Sequence, residues 1–407
     1  MASVAPASPQ PTALAALPEL LGYTQRHGLE QHLYRPKRGL STLAASLLWL
    51  CLAWRSSGRP YHLVHLDEPF LAAIIGRHRL PTPRTLYRSL AYFSARALRH
   101  AAQDAYLATL PHRSGKVWVA VDTHQIPYWG RGKLTRFQKG WSGGHSRRLR
   151  GYRVLLAVDT DTGAIITFLL VRGKTRDGRL IALLARHLRH LLGNQLAGIV
   201  ADCGFTSRRS VAALVESKVP FILGFARSSP IRARLAALSP QQRRWLKDGG
   251  AVRLGTCPWD ERLRLFALGA RSPIDKRRPW VYVTSLRSAG PQWLAQTYRQ
   301  RWRAEQAIEE CKNGHDLDHL VGYRLHPNRI AIGFRLLARN LAIGFQLEQA
   351  DGRPEHIREP LAFRAEHVDG LGTFEHAGRV LVLHRAAATD ERVYDLSWTG
   401  CSIRAAA

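Results

Sequence analysis

Two short apolar runs that each end in aspartate constrain the fold of this chain more than anything else in it. Residues 116–122 read Lys-Val-Trp-Val-Ala-Val-Asp, and residues 196–202 read Leu-Ala-Gly-Ile-Val-Ala-Asp. Continuous apolar runs of this length, with valine and isoleucine prominent, are the pattern of strands buried on both faces. A carboxylate is costly inside such a strand, so each run is expected to stop at its Asp, at the edge of a sheet. Two further strand-like runs, 152–158 and 164–171, are joined by Asp159-Thr-Asp-Thr-Gly163, a hairpin turn by composition. An amphipathic helix at 180–192 precedes the second Asp run; a helix at 207–216 and a strand at 220–225 follow it. The order strand, strand, strand, helix, strand, helix, strand predicts a mixed sheet with helices on its faces.

That order resembles an RNase H-like domain. In such a sheet the two Asp-ended strands lie side by side and parallel, so Asp122 and Asp202 emerge at one edge. The strand ending at Asp159 runs antiparallel to the first, which sends Asp159 to the opposite edge; Asp159 and Asp161 read as turn residues. The α/β core is expected in two parts, 113–225 and 291–346. Between them, 226–290 changes to short strand-like pieces and reads as a β-rich insertion. Residues 330–346 read as a basic amphipathic helix. Residues 1–18, rich in Ala, Pro and Ser, are expected to be disordered. Residues 19–112 carry apolar side chains at three- and four-residue spacing with basic residues between, a helical region read as a DNA-binding module, with a plain helical cap as the alternative. No helix-turn-helix pattern names a recognition helix. Residues 347–407 give weak signals and no clear role.

The insertion leads into a stretch, 296–312, with no Gly or Pro and many good helix formers. On one continuous helix at about 100° per residue, Tyr298, Arg301, Glu305 and Lys312 fall within a stripe about 60° wide. A carboxylate held between cations on one face suits a metal or a phosphate. Glu305 then supplies a third carboxylate to the edge carrying Asp122 and Asp202, and Glu309, one turn on, is its rival. Three converging carboxylates can hold two divalent ions, and oxygen-only ligands favour magnesium or manganese over zinc. His124, two residues past Asp122, reads as a loop histidine; His315 and His319 read as solvated; Trp245 and Trp259 read as packed core.

Charge narrows the partner. Sixty Lys and Arg against 30 Asp and Glu give a formal net charge of +30, spread over every third of the chain. Such an imbalance repels itself unless a polyanion relieves it, which makes nucleic acid the expected partner. The five cysteines are far apart, with no Cys-x-x-Cys, which fits a reducing compartment and excludes a disulfide framework or zinc ribbon. No secretory signal or membrane-length apolar run is evident, so a cytoplasmic protein with no membrane role is expected.

Asp122, Asp202 and Glu305, with Tyr298, Arg301 and Lys312 at gaps of two, three and six residues, resemble the DDE transposases of bacterial insertion sequences. The similarity is to the cut-and-paste group whose third-carboxylate helix carries a Tyr-Arg-Glu-Lys pattern. Asp122-Thr-x-x-Ile-Pro-Tyr128 is similar to that group's first-Asp segment, and Ala201-Asp-Cys-Gly-Phe205 to its second. The resemblance covers roughly 115–345. It implies that Asp122, Asp202 and Glu305 ligate two Mg²⁺ ions (Mn²⁺ can substitute) and that Tyr298, Arg301 and Lys312 contact DNA. It further implies cleavage at terminal inverted repeats, strand transfer into target double-stranded DNA, and a homodimer in a synaptic complex at the nucleoid. Two alternatives remain at this point: an RNase H-like, structure-selective nuclease without strand transfer, and a non-catalytic DNA-binding derivative.

Overall fold

The computed structural model describes residues 9–27, 30–33, 40–66, 69–112, 115–131, 138–142, 147–172, 177–269, 279–377, 380–385, 392–396 and 401–406. Strand β1 (Gln10–Thr12) leads into helices α1 (Leu17–Arg26), α2 (Glu30–Leu33), α3 (Thr42–Trp54), α4 (Pro69–Ile74), α5 (Pro83–Ser89) and α6 (Ala95–Leu107). Then come β2 (Val117–Pro127), β3 (Gln138–Ser142), β4 (Arg147–Asp159), β5 (Ile165–Arg172), α7 (Asp177–Leu192), β6 (Leu196–Ala201), α8 (Arg208–Glu216) and β7 (Phe221–Gly224). Helices α9 (Ser229–Ala236) and α10 (Pro240–Lys247) precede β8 (Ala251–Cys257), β9 (Asp260–Leu268) and β10 (Trp280–Thr284). The chain continues through α11 (Pro291–Arg299), α12 (Trp302–His315), α13 (Leu325–Gln349) and α14 (Pro360–His367). It closes on β11 (Gly372–Ala377), β12 (Val380–Arg385), β13 (Arg392–Leu396) and β14 (Cys401–Ala406).

The larger sheet runs β3-β4-β2-β6-β7-β10-β9-β8, with β5 also paired to β4. Within it, β2 and β4, and β4 and β5, are antiparallel, whereas β2 and β6, and β6 and β7, are parallel. The spatial order β5-β4-β2-β6-β7 is the expected α/β, RNase H-like core. The 226–290 segment departs from expectation in two ways. It begins with two helices, α9 and α10, and its strands do not form a separate β unit. β10 pairs antiparallel with β7, so the segment extends the same sheet. An apolar strand beside an open sheet edge satisfies its backbone most directly by joining it.

Side-chain alternation on β2 divides the core in two. Val117, Val119 and Val121 enter one cluster with α7, α8 and Phe221, while Ala120 and Ile126 enter the other, with α3, α6, α12 and α13. Even-numbered residues of β2 therefore face the α12–α13 layer. Helix α13 is the axis of that layer. Its residues from Ile330 to Leu347 are buried, so the basic amphipathic helix expected at 330–346 is instead enclosed on all sides. Its arginines stay inside because partners come from elsewhere. Arg339 lies 2.5 Å from Glu310 and 2.5 Å from the Gly163 carbonyl, and Arg335 donates to the carbonyls of Gly58 at 2.6 Å and His319 at 2.5 Å. Asn340 clamps α13 to its neighbours: Ile165 N donates to its Oδ1 at 2.8 Å, and its amide donates to the Ala102 and Ile165 carbonyls. Among the described residues α13 alone is long and apolar enough to cross a membrane, and its apolar window is wholly buried in the fold.

The N-terminal helices are a cap on this layer. Ser41 caps α3 by accepting from Ala44 N at 3.1 Å, every residue of α3 is buried, and its Trp54 donates to the Ala338 carbonyl at 2.9 Å. A helix buried all round has no free face for DNA, so α3 itself serves as part of the shared core. Disorder across 1–18 is also corrected from Gln10 onward. β1 pairs antiparallel with β11 in a second sheet ordered β1-β11-β12-β14-β13, and Leu14 and Leu17 are buried. Residues 1–8 lie outside the described residues. The stretch 347–407 thus supplies α14 and most of that second sheet.

Candidate active site

Register places the first two carboxylates. Val121 pairs with Ala201 at the C-terminal end of β6, so the next residues, Asp122 and Asp202, leave that pairing together at one edge. β2 does not stop there. It runs on to Pro127 against β4, with Asp122 opposite Leu156, because β4 remains to satisfy its backbone after β6 has ended. Asp122 is therefore a mid-strand residue rather than a strand end, and its side chain is 18% exposed. Asp202 starts a single 3-10 turn at 203–205, its Oδ1 accepting from Gly204 N at 2.9 Å. The end of β7 fits beneath that turn only because residue 224 is glycine: a Cβ there would meet Cys203 N at 2.8 Å.

The third carboxylate arrives on α12. The single helix expected over 296–312 is two helices: α11 ends at Arg299, α12 begins at Trp302, and the junction is tightened by i→i−3 bonds from Gln300 N to Thr297 O and from Arg301 N to Tyr298 O. No Gly or Pro marks this junction, so nothing local announces it. Arg301 stands at the start of α12 and turns into the site. Its guanidinium lies 2.7 Å from Glu305 and 4.0 Å from Asp122, and 5.9 Å from the centre of the Tyr298 ring. The half-buried Tyr298 ring in turn packs 4.0 Å from that of Tyr282. Burial opposes the charge on Arg301, but Tyr298, Glu305 and Asp122 outweigh it and hold the guanidinium above its ordinary range. Lys312 does not reach Glu305. It lies 2.7 Å from Glu309 and 4.0 Å from Asp318.

The electrostatics separate Glu305 from its rival. Burial pushes the Asp122 carboxyl up to about 6, and the negative charges of Asp202 and Glu305 add to it, against Thr123 N–H and Arg301. Glu309 takes no part in this; its bond to Lys312 holds it below the ordinary carboxylate range. Asp122 thus feels the charges of both Asp202 and Glu305, and Arg301 lies between Asp122 and Glu305. Among the described residues no group of three His, Cys, Asp or Glu side chains is arranged to hold a metal ion. The donor chemistry fits a hard divalent cation all the same: an oxygen-only set, one member of which is half-buried and reluctant to ionise without a counter-charge.

Several further residues sit differently from expectation. His124 is on β2, not in a loop, and its Nε2 bonds Asp318. Asp318, in the connector after α12, carries no sequence signal and was reachable only through the fold. His315 is buried rather than solvated, bonded at 3.2 Å to the Ala53 carbonyl, whereas His319 is exposed as expected and pairs with Asp316. Trp245 and Trp259 are 53% and 37% exposed, not packed core. Asp159 is the last residue of β4, and its side chain braces the turn that follows: Asp161 N donates to it at 2.9 Å, and Tyr106 OH at 3.1 Å.

The sheet has the RNase H-like order, and Asp122 and Asp202 leave it together where the β2–β6 pairing ends. The family described as transposase DDE domain matches residues 113–341, more than half of the chain. The chain belongs to that family and is a DDE transposase, an enzyme of DNA cleavage and strand transfer whose relatives generally use divalent metal ions. Among solved structures, a piggyBac transposase synaptic complex with hairpin DNA is similar at 13% identity, over 89% of this chain and 82% of that one, with a TM-score of 0.49. No curated protein matches.

Proposed function

We propose that Asp122, Asp202 and Glu305 are the catalytic carboxylates and together hold two Mg²⁺ ions, replaceable by Mn²⁺. On this reading the enzyme cuts at the inverted repeats ending a transposon and joins those ends to target double-stranded DNA. The observation that carries it is the shared departure of Asp122 and Asp202 from the β2–β6 pairing, with Glu305 electrostatically coupled to Asp122 and Glu309 engaged by Lys312. The bound ions would activate a water or a 3′-hydroxyl and stabilise the leaving oxygen.

The chain's own groups do the rest. Partial burial keeps bulk water from screening the Asp122 carboxylate, so charge placed beside it acts strongly. Arg301 neutralises Asp122 and Glu305 in the absence of ions and supplies fixed positive charge beside the phosphate once they bind. Lys312 keeps the same role further along the backbone, and Tyr298 backs Arg301 from below. A homodimer bridging two ends, and residence on the nucleoid in the cytoplasm, complete the proposal.

The decisive experiment compares Glu305→Gln with Glu309→Gln, using a supercoiled plasmid that carries the gene with its own flanking DNA. Glu305→Gln is expected to abolish Mg²⁺-dependent nicking while leaving duplex binding intact, and Glu309→Gln to nick. The reverse pattern removes Glu305 from the site. Cleavage without joined target products would favour a structure-selective nuclease.

A further inference from the structure

Asp318 stands out because much of the fold converges on presenting it. The connector from α12 to α13 turns at Asp316, whose φ of 58° is left-handed, a conformation costly for a residue other than glycine. Leu317 is wholly buried and its N–H donates to the Cys311 carbonyl at 3.0 Å. On the other side of Asp318, the His319 carbonyl accepts from Arg335 at 2.5 Å, and the same guanidinium reaches Gly58 in the N-terminal cap. Burying an arginine is expensive unless its donors are met; both terminal nitrogens of Arg335 donate to backbone that shapes this connector, while its Nε has no hydrogen-bond partner. Asp318 is therefore presented from both sides on a rigid support.

What it grips lies beside the proposed catalytic carboxylates. His124 follows Asp122 by two residues on β2, so both side chains leave the strand on the face toward α12. His124 Nε2 bonds Asp318 Oδ1, and Lys312 Nζ lies 4.0 Å from Asp318 Oδ2. Arg301 joins α12 to β2 at Asp122, and Asp318 joins the far end of α12 to the same strand at His124. A carboxylate bonded to one imidazole nitrogen also fixes the ring's orientation.

We infer that Asp318 is a positioning residue: through His124 and Lys312 it locks the α12 connector to β2 and sets where the DNA backbone lies relative to Asp122. This rests on the transposase site proposed above. Outer partners that orient metal-site groups typically change activity by about 10–100-fold when removed. The test uses the full chain, Mg²⁺ and the plasmid carrying the gene with its flanking DNA. It measures single-turnover nicking, affinity for a fluorescent duplex of that DNA, and the urea unfolding midpoint. Asp318→Asn is expected to nick about 10–100-fold more slowly, with affinity and midpoint unchanged. Asp318→Glu should recover most of the rate, and the Asp318→Asn, His124→Asn double variant should be no slower than the worse single. Nicking by Asp318→Asn at the wild-type rate, or loss of affinity in step with rate, overturns the positioning role. If Glu305→Gln also nicks at the wild-type rate, the proposed site itself is wrong.

Discussion

Replacing Asp122 by asparagine isolates the electrostatic cost built into the site. The Asp122 carboxyl is held at about 6 against an ordinary 3.8, mainly by burial and then by Asp202 among the groups that raise it. Two pH units correspond to about 3 kcal/mol. The sign follows from proton counting. Between pH 4 and 6 the unfolded chain releases this proton while the folded one retains it, so stability falls as pH rises through that window. Above it the full cost is present. Asparagine keeps the shape and can still accept from Thr123 N, bonded to Asp122 at 2.7 Å, but carries no charge. The attraction of Arg301 is already contained in that net value. In urea unfolding with EDTA at pH 8, Asp122→Asn should therefore be more stable than wild type by about 1–3 kcal/mol. The difference should vanish near pH 4, and Mg²⁺ should stabilise wild type but not the variant. If Asp122→Asn is the less stable protein at pH 8 without metal, the Asp122–Arg301 pair is a net stabilising ion pair. The reasoning from desolvation then fails.

Two further outcomes test the surroundings. Affinity for duplex DNA should fall steeply with salt, by about 10³–10⁵ between roughly 50 and 200 mM if six to ten phosphates are contacted; a shallow slope in a fluorescence titration would mean far fewer contacts. Asn340→Ala strands the Ile165 and Ala102 backbone groups that its side chain satisfies, and should cost about 2–4 kcal/mol in urea unfolding, with a near-neutral result contradicting the clamp.

The sheet was legible where local pattern and topology agree. The apolar runs before Asp122 and Asp202 and the hairpin at Asp159 suffice to order β5-β4-β2-β6-β7, because strands buried on both faces announce themselves by composition. The extension of β2 past Asp122 was not legible, since Thr123, His124 and Gln125 are polar and only β4 makes a strand of them. The break between α11 and α12 carries no Gly or Pro. Arg335 and Arg339 read as solvent-facing because their partners, Glu310 and three carbonyls, are distant in sequence or on other elements. His124 and Asp318 fail for the same reason: a pair separated by 194 positions leaves no spacing to read.

The pairing of β1 with β11, Gln10 against Phe374, bears on how the protein is made. Loop closure over such a separation is slow compared with local helix formation. On the ribosome β1 must wait until β11 has been synthesised, and Leu14 and Leu17 wait with it for the neighbours that bury them. Folding intermediates of this transposase should therefore carry an open apolar seam around Leu14 and Leu17, closed only when the second sheet forms.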